Sequence, residues 1–292
     1  MISKVKIMFL GMVFLALGGY LLFVRPSDKN VAIALKKIPN EERVFLDYFF
    51  RELMLTDFLA YVLYGTKPAA LAGYFGPQYY FYRLFWISSK KDILFKKGFE
   101  IWKKYEHLFP HTNYILLHRK IDCQEDLFHV LLINKKRFLK EVEENLEDFK
   151  RVMGNQITPE IVLKKFITEE KSLYDTVNQH SALEGLLLGF GSHNSWLFYQ
   201  RDILQNRNED FQYVPRRVDL YQNDLDQINE QLEYPVHEKC ELNFVSLPCF
   251  LYDSSHQETE EFLAKYKEQR KKFMNKYQKG DFLEETLKKL IS

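Results

Sequence analysis

A chain of 292 residues with 46% hydrophobic and 28% charged residues has the balance of a folded globular protein, which excludes disorder as its default state. Lys and Arg number 41 against 40 Asp and Glu, a formal charge of +1 that supplies no overall field for nucleic acid, and no basic patch stands on an otherwise polar face. Nucleic acid is therefore not an expected partner. Three cysteines, Cys123, Cys240 and Cys249, are too few and too widely spaced for a four-cysteine zinc site or a disulfide framework. Cys240 and Cys249 read either as two buried thiols or as a pair across a hairpin. The 25 Phe and 18 Tyr beside 12 Gly and 9 Pro suit a well-filled core with few tight turns, and suit a compositional bias of the source genome equally well.

From Ile7 to Val24 the chain runs IMFLGMVFLALGGYLLFV without a charge, between Lys4 and Lys6 on one side and Arg25 and Pro26 on the other. As a helix these 18 residues rise about 27 Å, close to the thickness of a bilayer's hydrocarbon core. Residues 1–30 are accordingly predicted to be a transmembrane segment or signal anchor, with the lipid bilayer as partner through residues 7–24. Ala16, Leu17 and Gly18 offer a small-x-small pattern to a signal peptidase, yet the apolar run continues past them. Tyr20 stands where a lipidated Cys would follow Leu17, Gly18 and Gly19, which excludes lipid attachment there. Counting Lys and Arg points the following domain inward, whereas the short basic leader points it outward, the orientation expected here: a single-pass membrane protein with its domain on the exported side.

Residues 31–292 are predicted to form a single, mostly helical soluble domain with a small antiparallel sheet, an α+β fold that is mainly α. Asn40 is positioned to cap a helix running to Gly65, where Thr66, Lys67 and Pro68 make a turn with an exposed lysine. Phe45, Phe49, Leu53 and Phe58 keep helical spacing along it, with Arg51, Glu52 and Asp57 on the polar flank. Ser89 and Asp92 read as the start of the next helix, closed by Pro110. The apolar runs Asn113 to Leu117 and His129 to Ile133 read as a hairpin. Asn134 then caps a helix whose Phe138, Val142, Leu146 and Phe149 form one stripe ending at Gly154, and Thr158 with Pro159 opens another. Asp202 to Gln231, with Arg216 and Arg217, is polar enough for a long surface connection. Cys240 to Tyr252 is rich in strand formers, restricted by Pro248 to an edge or bulge, and Ser255 with Glu258 forms a capping box for a helix stopped by Gly280.

Candidate chemistry concentrates between His180 and Arg201. His180 and Glu184 lie four apart and share a helix face, and His193 follows a glycine break, so these three could ligate a divalent metal as in a metal-dependent hydrolase. The plainer alternative is a helix ending in a Gly189/Gly191 turn, with His193 or Asn194 capping the next helix and His180 paired with Glu184. Gly189, Phe190 and Gly191 do not make a nucleotide loop, because Asn194 occupies the third glycine position and a helix precedes them where a strand is needed. Ser192 beside His193, and Ser254 and Ser255 beside His256, place hydroxyls next to imidazoles in sequence without a nucleophile-elbow pattern.

The phrases YGTKP from Tyr64, WKKYEHLFP from Trp102, LLINKKRFLKEVEENL from Leu131, LEGLLLGFGSHNSWLF from Leu183 and LPCFLYDSSHQETEEFLAKYKEQRKK from Leu247 together resemble an uncharacterised protein family of chlamydiae and chlamydia-like intracellular bacteria. The resemblance covers nearly the whole chain from about Phe45 onward. It implies a bacterial envelope or secreted setting, including a host-directed effector as one form, and no known activity, cofactor or site residue. The expected function is a membrane-anchored or exported protein whose domain binds a protein or envelope partner without catalysis, with the hydrolase built on His180, Glu184 and His193 as the alternative.

Overall fold

The computed structural model describes residues 26–56, 58–75, 86–120, 127–205, 227, 232–233, 247–248 and 250–292. The apolar run 7–24, the three cysteines and the Arg216/Arg217 segment lie outside these residues. Among the described residues no helix is long and apolar enough to cross a membrane.

The architecture is mainly helical around one three-stranded antiparallel sheet, as the sequence suggests. Strands β1 (Ala69–Phe75), β2 (Tyr114–Lys120) and β3 (Leu127–Asn134) lie in the order β1-β3-β2. The predicted hairpin is β2 with β3, Ile115 opposite Ile133 and Leu117 opposite Leu131. Strand β1 carries little strand signal in sequence: its AALAGYF has small residues in place of the usual branched ones, and its pairing with β3 places Ala70 opposite Leu132. Because β3 is central, both of its faces are covered, and its period-2 alternation feeds two cores. Val130 and Leu132 face one, and Leu131 and Ile133 face the other.

The first core is built by α1 (Pro26–Lys36), α2 (Asn40–Arg51), α3 (Ala60–Leu63), α4 (Trp86–Tyr105), α11 (Gln257–Lys279) and α12 (Phe282–Leu290). The second is built by α5 (Lys135–Glu144), α6 (Leu146–Met153), α7 (Pro159–Thr168), α8 (Leu173–Thr176) and α9 (Ser181–Leu187). Helix α10 (Ser192–Gln205) packs on α9, and a short ladder of β4 (Leu232–Glu233) with β5 (Tyr252–Asp253) completes the elements used below.

Several predicted caps hold. The Asn134 side chain accepts from the Arg137 N–H at 3.1 Å, and Thr158 accepts from Ile161 at 3.3 Å with Pro159 at the first helical position. Phe138, Val142 and Phe149 are buried as their spacing requires, although the helix is broken at Asn145 into α5 and α6. Other expectations are corrected. The long helix after Asn40 is interrupted by a π-turn at Glu52–Thr56 and by Phe58 at φ 65°, and resumes only as α3. The break turns the chain inward, so that Leu59, Ala60, Tyr61, Val62 and Leu63 are all fully buried, which one exposed-sided straight helix could not achieve. Two carbonyls of this short helix find partners elsewhere: Tyr114 donates to Leu63 O at 3.1 Å and Arg137 to Val62 O at 2.8 Å. Helix α4 begins at Trp86, which places Ser89 inside it and not at its cap. The helix after Ser255 is capped instead by His256, whose Nδ1 accepts from the Glu258 N–H at 3.3 Å.

Helices α2 and α4 cross at Gly98, where a Cβ would lie 2.5 Å from the Phe45 carbonyl oxygen and 2.5 Å from the Phe49 Cβ. Gly98→Ala is expected to push the two helices apart and cost about 1–3 kcal/mol in urea unfolding. Leu132→Ala, which removes a fully buried side chain from the central strand, should cost about 2–5 kcal/mol in the same measurement.

Candidate functional site

The polar groups of interest gather around the turn between α9 and α10. Gly189 (φ 72°) and Gly191 (φ 85°) adopt left-handed backbone conformations there, and at Gly191 a Cβ would come within 2.7 Å of the Phe262 ring. The turn predicted from these glycines is therefore real, and it is closed on one side by Tyr266, whose hydroxyl donates to Gly189 O.

The start of α10 is capped from another helix. Glu258 of α11 accepts from the Ser192 N–H at 2.9 Å and the His193 N–H at 2.7 Å, placing a carboxylate at the positive end of the helix. Asn194 does not cap; it ties three segments together. Its Nδ2 donates to Phe190 O at 3.2 Å and to Thr259 Oγ1 at 3.0 Å, and its Oδ1 accepts from the Asp253 N–H at 2.9 Å. Asp253 Oδ2 lies 3.0 Å from His193 Nε2, which donates, while Asp253 Oδ1 accepts from the Ser255 N–H at 2.9 Å and its hydroxyl at 2.6 Å. The rings of His193 and His256 stack face to face at 3.6 Å.

This arrangement brings together the two Ser-His pairs, Ser192-His193 and Ser255-His256, that are far apart in sequence, but not as a nucleophile and base. The Ser255 hydroxyl donates to the Asp253 carboxylate and not to an imidazole. Burial lowers the His193 pKa against the opposing effect of its Asp253 bond, and the His256 ring lowers it further, which favours the neutral imidazole. Burial alone would raise the Asp253 carboxyl, yet the Ser255 and His193 bonds outweigh it and hold it below the usual range. The result is a latch: acid, base and amide groups are used to clamp Asp253–Thr259 to Phe190–Asn194.

The metal candidates are dispersed. His180, at the N-cap of α9, stacks on Tyr199 at 3.9 Å and meets the edge of Trp196, whereas His193 belongs to the latch. Glu184 is pushed up to about 7 by burial and by the charges of Asp175 and Asp202. Among the described residues no three His, Cys, Asp or Glu side chains are arranged to hold a metal ion, so His180, Glu184 and His193 do not form a centre.

Lys67 departs furthest from its sequence reading. The turn lysine expected in solvent is 3% exposed, with its Nζ 4.9 Å from the centroid of the Phe190 ring. Its backbone N–H donates to Tyr61 O at 3.2 Å, and burial lowers the pKa of its amine to about 7. Phe190 in turn stacks on Phe250 at 4.6 Å. The lysine thus sits directly behind the turn that the latch holds in place. Sequence offered no signal for this, because YGTKP reads the same whether its lysine faces outward or inward.

Asp253→Ala is expected to leave His193 and the Ser255 amide without their acceptor and to cost about 1–3 kcal/mol in chemical denaturation. Glu184 gives a pH test. Its folded pKa of about 7 lies above the unfolded value, so its contribution is fully favourable at low pH and is lost as pH rises through about 7. Glu184→Gln should therefore raise Tm relative to wild type at pH 8 and change it little at pH 5, as read by differential scanning calorimetry. With this geometry in hand, the chain matches no family model, no curated protein and no solved structure.

Proposed function

We propose that this is a membrane-anchored or exported protein whose helical domain works by binding a protein or envelope partner. The observation that carries the reading is the uncharged run Ile7–Val24, which ends two residues before helix α1 begins at Pro26. A domain joined so closely to such a segment would be held against one face of the bilayer, with α1 nearest the lipid.

The polar geometry supports binding over catalysis. Among the described residues the grouping of His193, Asp253, His256 and Glu258 is spent on joining two segments of the chain, and its carboxylate oxygens are already taken by internal donors. The surface near the bilayer offers a more suitable feature. An open groove of about 470 Å³ runs between α1, α2 and α12, lined by Leu35, Lys36, Arg43, Val44, Asp47 and Leu283 among others. Val44 at its edge is 67% exposed, and both signs of charge stand beside apolar wall, a mixture that suits a protein surface better than a charged polymer.

Reporter fusions after Arg25 and at the C-terminus, combined with alkaline extraction of membranes, test the reading. The full chain should resist extraction with its C-terminal reporter active on the exported side, and deletion of residues 1–25 should release it into the soluble fraction. A full chain that is extracted by alkali overturns the anchor; a reporter active only inside overturns export.

A further inference from the structure

We propose that the groove between α1, α2 and α12 binds the headgroup of a phospholipid that carries a phosphate and a primary ammonium, the chemistry of a phosphatidylethanolamine, with Lys36 and Arg43 on the phosphate and Asp281 on the ammonium. This rests on the membrane reading above and deepens it, by naming the envelope component that the domain would meet first.

The pairing of charges carries it. Five charged side chains line the groove, whose volume of about 470 Å³ is within the range of small-molecule sites. Two of them already have a counter-charge: Asp47 is paired with Arg51 at 2.5 Å and Glu284 with Lys288 at 2.8 Å. Among the described residues the other three have none. Lys36 makes no ion pair, Arg43 donates only to the Asn40 side chain, and Asp281 uses one oxygen to cap α12, accepting from the Glu284 N–H at 2.8 Å. Two cations and one carboxylate are therefore left over, which is the complement of a phosphate, with its several acceptor oxygens, joined to one ammonium.

Other headgroups leave one of these groups unmatched. A phosphatidylglycerol brings no cation for Asp281. A choline head offers no N–H for that carboxylate to accept, and no aromatic ring stands among the groove-lining residues to receive a quaternary ammonium. The apolar part of the groove suits the glycerol end of the lipid: Leu35 and Leu283 are its buried wall and Val44, 67% exposed, its edge, so the first methylenes of the acyl chains have a surface to cover. Placement agrees with this. From Pro26 to Lys36 helix α1 rises only about 15 Å, and the uncharged run ends at Val24, so a chain that spans the bilayer with residues 7–24 keeps the groove within reach of the headgroup layer.

The test uses the full chain in dodecyl maltoside, offered an equimolar mixture of phosphatidylethanolamine, phosphatidylglycerol and phosphatidylcholine with identical acyl chains, and reads the retained lipids by native mass spectrometry. The wild-type chain should keep phosphatidylethanolamine about tenfold over either of the others, the discrimination expected of one charge-assisted hydrogen bond. Asp281→Asn, which preserves the helix cap, should erase the preference over phosphatidylglycerol, and Arg43→Gln should lower retention of all three lipids, since each carries the phosphate. Free phosphoethanolamine at about a hundredfold excess should leave the lipid bound, because it covers no apolar wall; displacement by it overturns the lipid as the source of the headgroup. Equal retention of the three lipids by the wild-type chain overturns the proposal without any variant having to fold, and leaves the groove to a protein occupant. A preference that survives both substitutions overturns it as well. Because the detergent measurement does not require an inserted chain, alkaline extraction decides the anchor and the lipid ratio decides the groove.

Discussion

The rest of the molecule depends on one strand being buried on both sides. Strand β3 has β1 and β2 as neighbours, so its backbone donors and acceptors are satisfied within the sheet, and its side chains alternate between two helical layers. A slip of one residue would exchange Val130 and Leu132 with Leu131 and Ile133 and put each pair into the wrong core. The register fixed by that double burial reaches well beyond the sheet. At the end of β3, Asn134 caps α5 and donates its own N–H to Pro68 O at 2.9 Å, which sets where the preceding Lys67 must lie. The position of the buried amine is thus a consequence of strand pairing.

Helix α11 is the second organiser, joining the first core to the polar turn. Toward its C-terminal end Tyr61 and Tyr64 pack against Tyr266, Phe273 and Tyr277, and Gln269 exchanges hydrogen bonds with Thr66. Toward its N-terminus Glu258 caps α10 and Thr259 binds Asn194. One rigid helix therefore fixes both the Tyr64–Pro68 turn, which carries Lys67, and the Gly189–Phe190 turn, which covers it. The latch of His193 and Asp253 completes this frame with neutral and charge-assisted hydrogen bonds, the kind that hold geometry well when fully satisfied.

Among the described residues, Glu184 and Lys67 are ionisable groups whose surroundings oppose their charged form. Glu184 and Lys67 are pushed toward neutrality from opposite directions, each at about 7, and their effects on stability have opposite pH slopes. Glu184 has the carboxylates of Asp175 and Asp202 as neighbours and keeps α9 and α10 sensitive to pH, whereas the Lys67 amine lies against the Phe190 ring. Groups whose local surroundings oppose their charged form mark the places where folding has been compromised, and such places concentrate function.

The amino-acid sequence alone determined what local physics controls: the mainly helical character, the hairpin of β2 and β3, the caps at Asn134 and Thr158, and the glycine turn at 189–191. Each rests on residues within a few positions of one another. Tertiary structure decided the rest. β1 is a strand because β3 offers it an edge, its alanines having little preference of their own. The helix after Asn40 breaks because inward burial of Leu59–Leu63 outweighs continued helical bonding. His193 meets Asp253 and not His180, and Lys67 turns inward, because chain segments some 60 to 120 residues distant supply the partners and the cover. Spacing along a chain governs which side chains share a helix face, but only packing decides what that face meets.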